Sequence, residues 1–212
     1  MDGGTAVMQI IAGQKSPAGR LPVTQYPASY VSTPLTGMNL RPTSSHPGRT
    51  YRWYGKAVKP FGFGLHYTTF KPTFEPFPKT LRIDDLVRKC RNVYPATCPL
   101  PAINLRVANI GKRISDHVAL AFLTGQAGPK PYPIKTLAAY TRVHDVKAGQ
   151  NAKAHLDWTL GNLARIDENG NTVLYPGKYT ILIDEPTLTS ISFTLEGKAA
   201  VLDKWPGPLP AK

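Results

Sequence analysis

The sequence predicts a mainly β protein: an antiparallel β-sandwich of immunoglobulin or fibronectin type III kind, preceded by a partial α/β segment of one short helix and two strands. Three observations carry that expectation. From Ile103 onward, apolar residues recur with a period of two, as they do on strands with one buried face. Pro (21) and Gly (18) are plentiful among the 212 residues and charge is sparse, which favours a turn-rich β chain over a helical bundle or a disordered one. Six or seven short strands separated by turns fall within roughly a hundred residues, which is the density of a sandwich.

Before Phe70 the texture is different. Val7, Ile10 and Ile11 share one face of a short helix that Asp2 or Thr5 is placed to cap and Gly13 to end. Gly19 to Thr24 reads as a strand with Leu21 and Val23 on one side, and Pro22 suits an edge or a strand start. Residues 27–50 are loop-like, with Pro27, Pro34, Pro42 and Pro47 among Ser, Thr and Gly. Arg49 to Tyr54 reads as an aromatic strand. It leads into Phe61-Gly62-Phe63-Gly64-Leu65-His66-Tyr67-Thr68-Thr69-Phe70, a loop that becomes a strand. Its two glycines permit positive φ or close backbone approach. One helix and two strands do not make an independent domain. The expected division is therefore 1–70, the end of a larger α/β domain with its linker, and 71–212, the sandwich.

Residues 71–89 are proline-rich and end in a short helix over Ile83 to Lys89. The strands that follow are centred on Ile103, Leu105 and Val107; on Val118, Leu120 and Phe122; on Leu137 to Val143; on Ala152, Ala154, Leu156 and Trp158; on Tyr179, Ile181 and Ile183; and on Ile191, Phe193 and Leu195. In the second of these, Ala119, Ala121 and Leu123 make the other face apolar too, which predicts a central strand. Asp167 to Asn171 carries strong turn chemistry. Tyr179, just after Pro176-Gly177, reads either as a tyrosine corner bonded back to the upstream backbone or as an ordinary half-buried strand tyrosine.

The formal charge is +13, divided as seven Lys/Arg against one acid up to Phe70 and nineteen against twelve beyond it. Spread in this way, with basic residues standing singly between apolar ones, it describes solvated strand faces; no nucleic-acid partner is expected. No apolar run approaches the ~20 residues of a membrane span, and the N-terminus lacks the pattern of a signal peptide. Met1 is followed at once by what reads as domain interior, so a truncated product is expected. Cys90 and Cys98 enclose seven residues. In an oxidising compartment a disulfide would close that loop; the alternative is two unpaired thiols, because spacing does not set the Cα separation.

Catalytic signals are weak. Glycoside hydrolysis takes two carboxyl groups flanking a sugar ring, ~5–9.5 Å apart. The acids here sit in turns, strand ends and a helix start: Asp167/Glu168, Asp184/Glu185, Asp84/Asp85. No catalytic pair, cofactor site or metal site is expected from them. Gly62-Phe63-Gly64 is too short for a phosphate loop. Tyr51, Trp53, Tyr54, Phe61 and Phe63 either stack on sugar faces or pack between the two segments, and packing is the ordinary fate of clustered aromatics.

Ala18-Gly19-Arg20-Leu21-Pro22-Val23-Thr24, Met38-Asn39-Leu40-Arg41-Pro42, Pro47-Gly48-Arg49-Thr50-Tyr51-Arg52-Trp53 and the Phe61–Phe70 stretch, in this order, resemble the C-terminal region of glycoside hydrolase family 3, above all its fungal β-xylosidases. The likeness runs from Asp2-Gly3-Gly4-Thr5-Ala6 to Val201-Leu202-Asp203-Lys204-Trp205-Pro206. It implies a parent with an N-terminal (β/α)₈ barrel, an α/β sandwich and a fibronectin type III-like domain. The implied parent is secreted, needs no cofactor, and releases xylose from xylo-oligosaccharides through an Asp nucleophile and a Glu acid/base. Neither motif occurs in this chain, so no residue here inherits either role and the chain alone is expected to be inactive. Secretion of the parent agrees with a Cys90–Cys98 bridge. Two alternatives stand beside this: a stand-alone polysaccharide- or protein-binding module, and a fragment of a β-glucosidase or α-L-arabinofuranosidase of the same family.

Overall fold

A computed structural model describes residues 3–34 and 36–206. Helix α1 spans Gly3–Ile11, and Gly13 follows it at φ +69, the left-handed geometry that ends a helix at low cost. Thr5 lies inside α1 and does not cap it; Asp2, the other predicted cap, lies outside the described residues. A 3₁₀ turn covers Ala28–Ser32.

Both strands expected in this segment give way to other structure. Between Gly19 and Gln25 there are only isolated bridges, Arg20 with Gly64 and Gln25 with Lys59. Pro22 offers no donor, and the partner chain is turning at Gly62 (φ +87), so pairing stops after a residue or two. Thr50–Trp53 is a single helical turn, α2, not a strand. Thr50 adopts φ 61, its carbonyl accepts the Tyr54 amide at 2.9 Å, and the chain curls where aromatic alternation had suggested extension.

From Phe70 the chain is β. Strand β1 is Phe70–Phe74, β2 Thr80–Arg82, followed by helix α3 over Ile83–Lys89, where the sequence places it. Strands β3 (Ile103–Asn109), β4 (Ser115–Gly125), β5 (Thr136–Val146) and β6 (Asn151–Leu156) lead to a one-turn helix α4 (Leu160–Leu163). Strands β7 (Arg165–Ile166), β8 (Thr172–Leu174), β9 (Gly177–Ile183), β10 (Thr189–Glu196) and β11 (Ala200–Asp203) complete the chain. One sheet has the order β1-β3-β6, the second β2-β10-β9-β4-β5, and a small third β11-β8-β7. Among the described residues, all pairings between these strands are antiparallel except β2 with β10. Pro72 in β1 is tolerated because β1 is an edge strand.

The core lies between the two larger sheets. Ile103, Leu105 and Val107 of β3 and Ala154 and Leu156 of β6 meet Ala119 and Ala121 of β4, Ile181 and Ile183 of β9, and Phe193 of β10. Trp158, 1 % exposed, closes one side of this core and donates its indole N–H to the Pro101 carbonyl at 2.8 Å. The Tyr179 hydroxyl donates to the Tyr175 carbonyl at 2.7 Å, so the tyrosine corner is formed. Burial pushes that phenol up to about 12.

Candidate functional site at the seam

Strand β4 is apolar on both faces for a reason that its central place in the sheet does not supply. Ala119, Ala121 and Leu123 face the sandwich core, whereas Leu120 and Phe122, also buried, point away from it. Their outer face is covered by residues 20–64. Tyr51 and Phe61 stack at 4.4 Å and both meet Phe122 edge-on, at 5.9 and 6.2 Å. The Tyr51 hydroxyl accepts the Leu137 amide at 3.1 Å. Gly62 lies so close that a Cβ there would come within 2.8 Å of Leu120 Cδ1.

Beside this apolar seam lies a buried polar one. Asp184 follows β9, is 1 % exposed and adopts φ 71. Its Oδ1 accepts the Leu120 amide at 3.0 Å and stands 3.1 Å from Arg20 Nη2. Arg20 also donates from Nε and Nη2 to the Val118 carbonyl, at 3.0 and 2.8 Å. His117 Nε2 is 3.1 Å from Asp184 Oδ2. His66 packs at 5.7 Å from the His117 ring and 5.1 Å from Phe70. Burial, then the Arg20 guanidinium and the neighbouring His117, hold His66 down to about 4; Asp184 pulls weakly the other way. His66 is therefore neutral near pH 7. Nearby, Lys135 pairs with Glu185 and sits 4.3 Å over the Phe122 ring. Among the described residues, no three His, Cys, Asp or Glu side chains are placed to hold a metal ion.

The five aromatics singled out from the sequence are not one platform. Tyr51 and Phe61 belong to the seam. Tyr54 is buried with Tyr26 and Tyr30, at 5.0 and 5.1 Å. Phe63 lies under Lys59 at 4.4 Å, and Trp53 under Arg41 at 5.5 Å on the wall of a separate cavity. Cys90 and Cys98 are joined by a disulfide with Cα atoms 5.8 Å apart, tying the end of α3 to the loop before β3. The carboxylates are likewise dispersed. Asp167 accepts the Asn169 and Asn171 amides within its own turn, and Asp116 binds Arg142 and His144. Sequence reasoning missed the Arg20–Asp184–His117 group. The one available signal was that Arg20 and His66 each sit inside a motif quoted for the family resemblance.

The fold and seam define a fibronectin type III-like sandwich with a mainly irregular N-terminal segment packed on one sheet, and residues 117–185 match the fibronectin type III-like domain family. In sequence and structure nearly all of the chain matches the C-terminal region of glycoside hydrolase family 3 exo-β-xylosidases. It is 50 % identical over 98 % of its length to a probable exo-1,4-β-xylosidase of Neosartorya fischeri, and 43 % identical over 96 % to an exo-1,4-β-xylosidase of Emericella nidulans. It spans 28 % and 27 % of those relatives' lengths. Among solved structures, a family 3 exo-β-xylosidase in complex with a xylobiose aziridine probe superposes with a TM-score of 0.90 at 37 % identity, covering 97 % of this chain and 28 % of that one.

Proposed function

We propose that this chain is the C-terminal part of a secreted family 3 β-xylosidase, acting there as a non-catalytic scaffold. The observation that carries the proposal is the end-to-end match: 50 % identity over 98 % of the chain against an exo-1,4-β-xylosidase of which it spans 28 %. In this reading residues 1–70 are the end of the parent's α/β domain with its linker, and residues 71–212 are the fibronectin type III-like domain. The start of continuous β-structure at Phe70 supports that boundary. The parent removes xylose from xylo-oligosaccharides with carboxylates carried on its remaining portion. Here the buried carboxylate of Asp184 is already engaged by Arg20, and Asp116 by Arg142. The Cys90–Cys98 disulfide supports an oxidising, extracellular setting.

The test is complementation. The purified chain is assayed on p-nitrophenyl β-D-xyloside alone, and again after co-expression with the remaining portion of the Neosartorya fischeri relative. The chain alone is expected to show no turnover, and the pair to co-purify with xylosidase activity that neither part has by itself. Activity that tracks the chain alone through purification overturns the scaffold role. Failure of the two parts to associate argues against the parentage.

A further inference from the structure

Between the segment and one end of the sandwich lies a cavity of about 450 Å³, within the ~300–1,000 Å³ range of small-molecule sites. Arg41, Arg52 and Trp53 line it from the segment, Thr124 from β4, and Asn162 and Arg165 from α4 and the start of β7. Its charge is entirely of one sign: three arginines and no Asp or Glu among the lining residues. Arg165 is committed to the structure, donating to the Ala127 and Pro131 carbonyls. Arg41 and Arg52 are not: among the described residues neither guanidinium has an ion-pair or hydrogen-bond partner, although Arg41 is held 5.5 Å over the Trp53 ring. Asn162 spends its Oδ1 on the Thr159 amide and hydroxyl, at 2.8 and 2.9 Å, leaving its Nδ2 donor for the cavity.

Two guanidinium groups can donate to neutral hydroxyls, but with no carboxylate among the lining residues their charge is best met by an anion, and a small inorganic anion makes no use of the indole and the apolar wall. A pyranose bearing a carboxylate uses both: its C–H face packs on apolar and aromatic surface, its hydroxyls accept from amide and hydroxyl donors, and its carboxylate takes an arginine fork. We propose that this cavity binds a sugar acid, with Arg41 and Arg52 holding the carboxylate and Trp53 and Asn162 the ring. The proposal rests on the residues lining the cavity and does not depend on the scaffold reading.

The experiment is titration of the ¹⁵N-labelled chain with sodium glucuronate, with xylose and sodium acetate as controls, followed through the Trp53 indole, Arg52 side-chain and Asn162 amide signals. Glucuronate is expected to shift these signals saturably, at least fivefold more tightly than xylose or acetate, and less tightly as salt rises. Arg41→Gln and Arg52→Gln are each expected to weaken glucuronate at least fivefold. Both side chains are exposed, so the fold should survive, and the unchanged dispersion of the same spectra verifies that. Equal binding of xylose removes the acid from the proposal, and equal binding of acetate removes the sugar. An absence of saturable shifts at these residues overturns it altogether.

Discussion

Asp184 is held where few residues are comfortable, with a positive φ, almost no solvent and an arginine as its ion-pair partner. It persists because Arg20 and the Leu120 amide satisfy one oxygen and His117 stands beside the other. Removing one member of a buried pair leaves the other uncompensated, at a cost of ~3–5 kcal/mol. Asp184→Asn is a clean test, because Asn keeps the shape and tolerates left-handed geometry, so a loss reports the charge and not the backbone. We expect it to lower the urea midpoint at an unchanged slope, by about 3 kcal/mol. His66 adds a pH dependence. Its folded pKa of about 4 lies below the ordinary histidine value of 6.5, so protons prefer the unfolded chain. The stability it contributes is complete above about pH 6.5 and falls as pH drops toward 4. After discounting for partial solvation, the loss is on the order of 1–2 kcal/mol. His66→Phe should flatten that limb of the stability curve; an unchanged pH profile would show that His66 is not its source.

At the scale of elements, the loop through Gly62 is fixed by the strand beneath it. Gly62 has φ +87, and a Cβ there would meet Leu120 Cδ1 at 2.8 Å and Phe122 Cζ at 3.2 Å. Gly149 offers a control: φ +75 with nothing within 4 Å. Gly62→Ala combines backbone strain with overpacking, and Gly149→Ala carries strain alone. Thermal unfolding is expected to register about 2–4 kcal/mol of loss for the first and about 1 kcal/mol for the second. Equal losses would mean that the loop yields and the seam is soft. Much of this level was legible in the sequence. Alternation from Ile103 to Leu195 located the principal strands, because half-burial writes a period of two directly into residue order. The helix at Ile83–Lys89 was equally plain, with Asp84 and Asp85 in its first turn and Arg88 and Lys89 in its last. The α2 turn was not, since Tyr51 answers to Phe61 and Phe122, and Trp53 to Arg41, and neither to a pleat. Strand β1 hid behind Pro72, and the Arg20–Asp184 pair joins residues too far apart for any local pattern to reveal.

For the whole molecule, the seam separates two parts of residues 3–69 that the sequence treated as one. Leu21 donates its amide to the Phe63 carbonyl and Gly62 donates to Leu21, both at 2.8 Å, directly over the sandwich. Helix α1 has no buried residue; Val7, Met8 and Ile11 are 55 %, 61 % and 70 % exposed. At its C-terminal end the Arg113 and Tyr67 side chains bond to the Gly13 and Ile10 carbonyls at 2.7 and 2.9 Å. A nine-residue helix without a packed face is marginal in water. In the chain alone, hydrogen exchange should therefore find Leu21 and Gly62 protected to the same degree as β4 and β9, while the α1 amides exchange at nearly the intrinsic rate. Supplying the remaining portion of a family 3 xylosidase should protect α1 and leave the seam unchanged, because the apolar face of α1 then has something to pack against. Strong protection of α1 in the isolated chain would mean that the helix is stable without a partner, and its exposed face would need another explanation.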